Sequence, residues 1–319
     1  MKICILDPGL EDNQGTISSN LGDLIIQEAI KKEIRKLFSN DQIISISTQS
    51  PLQAEQIDII RECDYTFVGG TNLLSSYMNK YKQWNISIKK TFYIKNLILF
   101  GVGWWQYQNS PNLYTKLLLN LSLSHNHIHS VRDSYTLRKL KNLGFKNVVN
   151  TGCPTMWPLA EIQPSQYCCA KASNVLVMLT DYYKNIAADK KLLEILFACY
   201  EKVYFWPQGR KDEDYIKELN YPVSMLRHSL NAFNEFLLSE EEFDYVGTRL
   251  HGGIRCLTMK KRVLILAVDN RSHEISLDTN LSVYKRDDFE SIVRWIYQPV
   301  EPQLNINTDN IHKWKSQFA

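Results

Sequence analysis

Short apolar runs alternate with amphipathic runs from one end of the chain to the other. Residues 2–6 are an unbroken β-prone run, followed by a polar stretch over 7–20. Leu24, Ile25, Ile26, Ala29, Ile30, Ile34, Leu37 and Phe38 then recur at helical spacing. Asn20 or Asp23 suits the cap of that helix. The same alternation predicts strands over 42–47, 65–68, 97–102, 127–131 and 148–149. Helices are predicted over 57–63, 113–123 and 134–143, the last stopping at Gly144. Residues 157–173 carry Pro158 and Pro164 without any period and read as a connection. The alternation then restarts, with strands over 175–179, 203–206, 223–226, 245–246 and 263–268. Helices are expected over 192–200, 214–219, 233–238, 289–296 and 311–318.

Strand–helix alternation implies mostly parallel sheets. Two such series joined by a connection imply an α/β protein with two Rossmann-like domains facing across a cleft, 1–160 and 172–300. Residues 301–319 are then a C-terminal helix packing back on the first domain. No short-period repeat is present, which excludes a solenoid. Composition narrows the function classes without choosing one. Hydrophobic residues make up 44% and charged residues 22%, ordinary values for a globular chain. A net charge of +3 with no Lys/Arg stripe interleaved with aromatics argues against a nucleic-acid partner. The first apolar run is too short for a signal peptide, and no run approaches a membrane span. Seven scattered cysteines, several in apolar runs, read as buried reduced thiols of a cytoplasmic protein. Without a Cys-x-x-Cys pair a structural zinc site is not expected.

Candidate chemistry falls at the ends of successive strands: Asn20 and Asp23, Gly69 to Asn72, Gly103, Arg132-Asp133, Gln208 to Arg210, Arg249 with His251, and Asp269 to Arg271. In an open α/β sheet such ends line one edge, so these groups could converge. Arg249 and His251 are the sharpest pair. A guanidinium grips carboxylate or phosphate with two parallel hydrogen bonds, and an imidazole moves a proton near neutral pH. An ordinary helix N-terminus reads equally well from this turn alone. Gly69-Gly70-Thr71-Asn72 suits either an anion held at a following helix start or a tight turn. Arg132-Asp133 reads more simply as a local ion pair capping a helix. Asp212-Glu213-Asp214 reads as acids opening a helix rather than as a metal site. His125, His127 and His129 share a face without visible co-ligands. Trp104, Trp105 and Tyr107 could stack on a sugar ring, although core packing is the commoner fate of such a cluster.

Taken together, Asn20-Leu21-Gly22-Asp23, residues 68–74, Gly101-Val102-Gly103, residues 130–134, Trp206-Pro207-Gln208-Gly209 and Thr248-Arg249-Leu250-His251-Gly252 resemble, in order, the landmarks of the polysaccharide pyruvyl transferase family. The resemblance implies a fold similar to the GT-B glycosyltransferases. It also implies transfer of a pyruvyl group from phosphoenolpyruvate to sugar hydroxyls of a bacterial-type surface polysaccharide or its precursor, as a ketal. By that resemblance Arg249 and His251 would hold the donor and serve the proton transfer, with Arg132 a further anion-binding candidate. The chemistry adds Asp23 as a third catalytic candidate, orienting the acceptor hydroxyl, and Asn20, Gly70, Thr71, Asn72, Gln208 and Arg271 as substrate-binding candidates. The first domain would be the acceptor side and the second the donor side. The partners implied are a small anionic donor and a glycan or lipid-linked glycan acceptor, with no cofactor and no metal. A lipid-linked acceptor would bring the protein to the inner face of the membrane, but no amphipathic basic helix is strong enough to anchor it. One departure is Thr151-Gly152-Cys153-Pro154-Thr155, where the family often has Asp-Pro. The alternatives are a GT-B glycosyltransferase using a nucleotide sugar and a non-catalytic glycan-binding protein.

Overall fold

β1 (Lys2–Asp7) carries four consecutive apolar residues, Ile3 to Leu6, and both of its faces are covered there. Cys4 and Leu6 enter one hydrophobic cluster, while Ile3 and Ile5 enter another on the opposite face. A strand buried on both sides is what a parallel sheet with helices on each face demands. The computed structural model describes residues 1–319 and divides into two units. The first comprises Met1–Ser18, Ile26–Trp157 and Ile306–Ala319; the second comprises Ser19–Ile25 and Pro158–Asn305.

After β1 the chain forms α1 (Leu21–Leu37), β2 (Gln42–Ser47), α2 (Ala54–Glu62), β3 (Tyr65–Leu74) and the short α3 (Ile88–Thr91). It continues through β4 (Ile98–Trp104), α4 (Leu113–Ser122), β5 (His129–Val131), α5 (Ser134–Asn142) and β6 (Val148–Asn150). The six strands pair in parallel in the order β2-β1-β3-β4-β5-β6. The switch of direction therefore falls between β1 and β3.

In the second unit β7 (Asn174–Met178), α6 (Ile186–Cys199), β8 (Lys202–Phe205), α7 (Asp212–Leu219), β9 (Ser224–Met225) and α8 (Leu230–Leu238) come first. They are followed by β10 (Phe243–Gly247), α9 (Leu250–Thr258), β11 (Val263–Ala267), α10 (Asn270–Thr279), β12 (Val283–Lys285) and α11 (Phe289–Tyr297). All strand pairs are again parallel, in the order β12-β11-β10-β7-β8-β9, with the switch between β7 and β10. Val175 and Val177 join Leu192, Leu196, Ile292 and Trp295 in one cluster, and Leu176 and Tyr245 are buried as well. The last helix, α12 (Thr308–Lys315), belongs to the first unit and buries Trp314 against Phe100, ring centroids 4.4 Å apart.

Two parallel α/β sheets are what the hydrophobic pattern predicts. Local departures have physical reasons. β3 does not stop before Gly69 but runs through Gly69-Gly70-Thr71-Asn72 to Leu74. α10 and β12 lie where no element is expected, because Asn270–Thr279 is polar and shows no apolar stripe. β5 begins only at His129. No helix is long and apolar enough to cross a membrane.

Candidate functional site

The polar residues singled out by the sequence gather at the carboxyl ends of the strands in each unit. In the first unit they centre on Arg132, directly after β5 and 1% exposed. Its Nη2 donates to Asn72 Oδ1 at 2.7 Å, and Nε and Nη2 each reach Asp133 Oδ2 at 3.3 Å. Asp133 also caps α5, its Oδ1 accepting from the Thr136 backbone N–H at 2.7 Å and from its hydroxyl at 2.6 Å. The ion-pair reading of Arg132-Asp133 and the contact with Asn72 thus coexist. Arg132 Nη1 is buried and has no hydrogen-bond partner. An unsatisfied guanidinium donor is costly unless an anion or polar ligand completes it.

Glycines make room for this arrangement. A Cβ on Gly103 would lie 2.1 Å from Arg132 Nη2, so a larger residue in β4 would evict the guanidinium. At Gly70 a Cβ would lie 2.6 Å from the Gly101 carbonyl oxygen of the neighbouring strand. This corrects the expectation for Gly70-Thr71-Asn72. No helix starts here and no turn forms; the glycine serves close strand packing. The ladder slips between Thr71 and Leu74, and Thr71 takes a φ of 121°. For a β-branched residue that conformation is strained, and such strain concentrates at functional sites. The effect is to deliver the Asn72 side chain to Arg132. At the position of the missing carboxylate, Cys153 is buried, accepts from Thr155 Oγ1 at 3.1 Å, and has its thiol pushed up by burial.

In the second unit two distant stretches meet. The Gln208 carbonyl accepts from the Leu21 N–H at 2.8 Å, and Gln208 Nε2 donates to Asn20 Oδ1 at 3.2 Å. Gln208 Oε1 accepts from the Gly252 N–H at 3.0 Å, which ties the loop after β8 to the first turn of α9. Asn20 Nδ2 donates to Asp23 Oδ2 at 3.2 Å. Asn20, Asp23, Gln208 and the turn carrying His251 therefore form one connected group. His251, in that first turn, is 5% exposed.

Arg249 is the N-cap residue of α9 and 3% exposed. Its fork grips a carboxylate, as its chemistry suggests, but the carboxylate is the protein's own. Nε donates to Asp212 Oδ2 at 2.8 Å, Nη2 donates to Asp212 Oδ1, and Nη2 reaches Asp181 Oδ1 at 3.2 Å. Asp212 is fully buried and also accepts from the backbone N–H groups of Gly209 and Asp181. Burial pushes its carboxyl up, while Arg249 pulls it down. The expected open guanidinium beside an imidazole is thus replaced by a closed ion pair beneath the turn. Arg271 is tied in a similar way, to Asp269 Oδ2 at 2.8 Å through Nε and to Tyr182 Oη at 2.6 Å through Nη2. The Tyr182 ring lies 4.9 Å from the Arg249 guanidinium carbon. Asp181, Tyr182 and Asp212 were not among the candidates from sequence. Asp212 was visible only as one of three acids opening a helix. Asp181 and Tyr182 follow β7, a strand end at which no polar group was singled out.

The remaining candidates resolve into structure. His129 is buried between a backbone donor and a backbone acceptor, and no group of three or more His, Cys, Asp or Glu side chains could hold a metal ion. Trp104 is core, whereas Trp105 is partly exposed.

Comparison with known proteins bears on fold and family separately. Over its full length the chain is similar to the UDP-GlcNAc 2-epimerase of Methanocaldococcus jannaschii, at 12% identity, with both chains covered completely and a TM-score of 0.52. A putative UDP-N-acetylglucosamine 2-epimerase from Listeria monocytogenes gives 12% identity and a TM-score of 0.50, over 94% of this chain and 91% of that one. At such identities the likeness is one of fold, and it agrees with the GT-B-like architecture. No curated protein matches the chain. The family model for polysaccharide pyruvyl transferase matches residues 20–270, a span that opens at Asn20 and takes in every landmark from there to Asp269. The chain belongs to the polysaccharide pyruvyl transferase family.

Proposed function

We propose that the protein transfers a pyruvyl group from phosphoenolpyruvate to two hydroxyls of one sugar in a polysaccharide or its precursor. The observation that carries this reading is the family match, which spans every group assembled above except Arg271. The chemistry asks for three things. A proton must reach the methylene carbon of the enol phosphate, which leaves the adjacent carbon cationic. One sugar hydroxyl adds there and loses its proton. Phosphate departs with the C–O bonding pair, and the second hydroxyl adds and loses its proton, giving the ketal and inorganic phosphate.

His251 is our choice for the proton-transfer group, as acid toward carbon and as base toward a hydroxyl. Arg132, with its Nη1 unpartnered, suits the carboxylate or phosphate of the donor. Asp23 is assigned to orienting an acceptor hydroxyl. Asn20 and Gln208 hold Asp23 and the 249–252 turn in place. Because Asp212 occupies its fork, Arg249 acts as a positioning residue for the turn, and Arg271 contributes a partly exposed cation beside Tyr182. The acceptor class is read from the family name. The working place is the interior, where phosphoenolpyruvate would be supplied, with membrane contact only through a lipid-linked acceptor.

The test is incubation with phosphoenolpyruvate and glycan acceptors, following phosphate release and ketal formation together. His251→Ala is expected to lower turnover by about 10²-fold or more, as removal of a general acid–base group does. Turnover undiminished in that variant removes His251 from the mechanism. Thermal stabilisation by a nucleotide sugar but not by phosphoenolpyruvate would overturn the pyruvyl reading in favour of a glycosyltransferase.

A further inference from the structure

Within the first unit, one residue past the end of β4, Trp105 leaves the core that Trp104 occupies. Its backbone N–H prolongs the ladder to the Leu74 carbonyl at 2.7 Å, and its ring stacks on Tyr81 with centroids 4.1 Å apart and planes 15° from parallel. The pair lines a cavity of about 300 Å³ together with Ser75, Tyr77, Lys80 and Gln108. That volume is at the small end of small-molecule sites and suits one sugar unit better than a nucleotide sugar.

The polar groups around the rings are held for use. Gln108 Oε1 accepts from Ser75 Oγ at 3.2 Å, from the Ser76 N–H at 2.6 Å and from Trp104 Nε1 at 3.1 Å. Three donors on one oxygen fix which way the amide lies and leave Nε2, which has no partner in the protein, as a donor. Lys80 makes no ion pair and Trp105 Nε1 no hydrogen bond within the protein. A flat apolar plate bordered by unpartnered donors matches a pyranose ring, which presents one face of C–H groups and a rim of acceptor hydroxyls. Because each ring holds the other, the plate exists before any ligand arrives. Tyr81 is also linked to Arg132 through Asn72. Tyr81 Oη donates to the Asn72 carbonyl at 3.4 Å, and Asn72 Oδ1 accepts from Arg132.

We infer that the Tyr81–Trp105 cavity binds one pyranose unit of a glycan, stacked on the aromatic pair and held by Gln108 Nε2 and Lys80 Nζ. Its identification as the acceptor rests on the pyruvyl-transfer reading; the binding itself does not.

The test uses the full chain and the methyl glycosides of galactose, glucose and mannose at millimolar concentration. Binding is followed by saturation-transfer NMR and by tryptophan fluorescence. At least one glycoside is expected to bind saturably. Trp105→Ala and Tyr81→Ala should each weaken it about tenfold, the size expected for an aromatic contact, and Trp105→Phe should restore most of it. Lys80→Ala, at an exposed position that leaves the fold intact, should weaken it severalfold. Absence of binding to all three by the wild-type chain overturns the inference. So does undiminished binding by Trp105→Ala or Lys80→Ala, or displacement of the glycoside by a nucleoside diphosphate. Glycoside binding that depends on Trp105, without any phosphate release from phosphoenolpyruvate, would sink the transfer reading and leave the sugar site standing. Phosphate release with an acceptor KM unchanged in Trp105→Ala would do the reverse.

Discussion

His129 shows how a residue type suggestive of chemistry can be consumed by the fold. The Leu99 N–H can only donate and reaches Nδ1 at 3.1 Å, while the Ser124 carbonyl can only accept and lies 2.8 Å from Nε2. The two contacts together require the neutral tautomer with its proton on Nε2. Burial pushes the pKa down from 6.5 to about 4, and His127 and His125 add to the shift in the same direction. Between pH 6.5 and about 4 the unfolded chain takes up a proton that the folded chain refuses. The contribution is therefore fully present above the unfolded value and is lost as pH falls through that window. At roughly 1.4 kcal/mol per unit, a fall from neutrality to about pH 5 removes about 2 kcal/mol. His129→Gln, which cannot titrate, is expected to flatten the pH dependence of denaturation midpoints in this range; an unchanged slope would show that other groups set it. Arg249 was consumed in a comparable way, by a buried carboxylate 37 residues away in sequence. Side-chain type announces what a group can grip but not whether the protein has already supplied the partner.

At the scale of elements, the sequence was most legible where one rule acted alone. Unbroken apolar runs at residues 3–6, 97–102 and 263–268 became β1, β4 and β11, strands covered on both faces. Glycine-rich strand ends were misread for the opposite reason. Gly69-Gly70 looks like a turn, yet close approach to Gly101 is a second use of a missing side chain, and only the neighbouring strand reveals it. The joining of Asn20 to Gln208 was legible as two motifs but not as a contact, since 188 residues separate them. Gly103 offers the sharpest test at this scale, because β4 must lack a side chain there for β5 to deliver Arg132. Gly103→Ala should destabilise the protein by about 1–3 kcal/mol, the usual cost of overpacking, and should weaken phosphoenolpyruvate binding. In combination with Arg132→Ala the stability loss should be smaller than the sum of the two single losses, because the clash disappears with the guanidinium. Strict additivity in denaturation experiments would show that the two positions do not compete for the same space.

For the molecule as a whole, the question is how a chain that leaves its first unit at Trp157 closes that unit's core. It does so with its own last residues. Trp314 is fully buried, stacked on Phe100 and edge-on to Phe67 at 5.9 Å and to Trp157 at 6.0 Å, and Phe318 packs on Phe38, Phe67 and Trp314. Lys315 pairs with Glu33 of α1, a buried carboxylate; burial pushes it up, but Lys315 and Lys36 together hold it below its usual range. These contacts cover β3 and β4, the strands that also carry Asn72 and Gly103, so the candidate anion site depends on residues far outside the family's matched span of 20–270. Trp314→Ala should therefore cost about 3–5 kcal/mol, as loss of a buried tryptophan does, and the loss should be local. Hydrogen exchange is expected to accelerate in the amides of β3, β4 and β5, while β7, β10 and β11, which belong to the second unit and pack in a cluster reaching no further than Val300 on the face of Val177 and Leu266, keep their protection. Acceleration spread equally over both sheets would mean that the two units unfold as one. Protection retained in β3 and β4 would mean that α12 only decorates a core already complete without it.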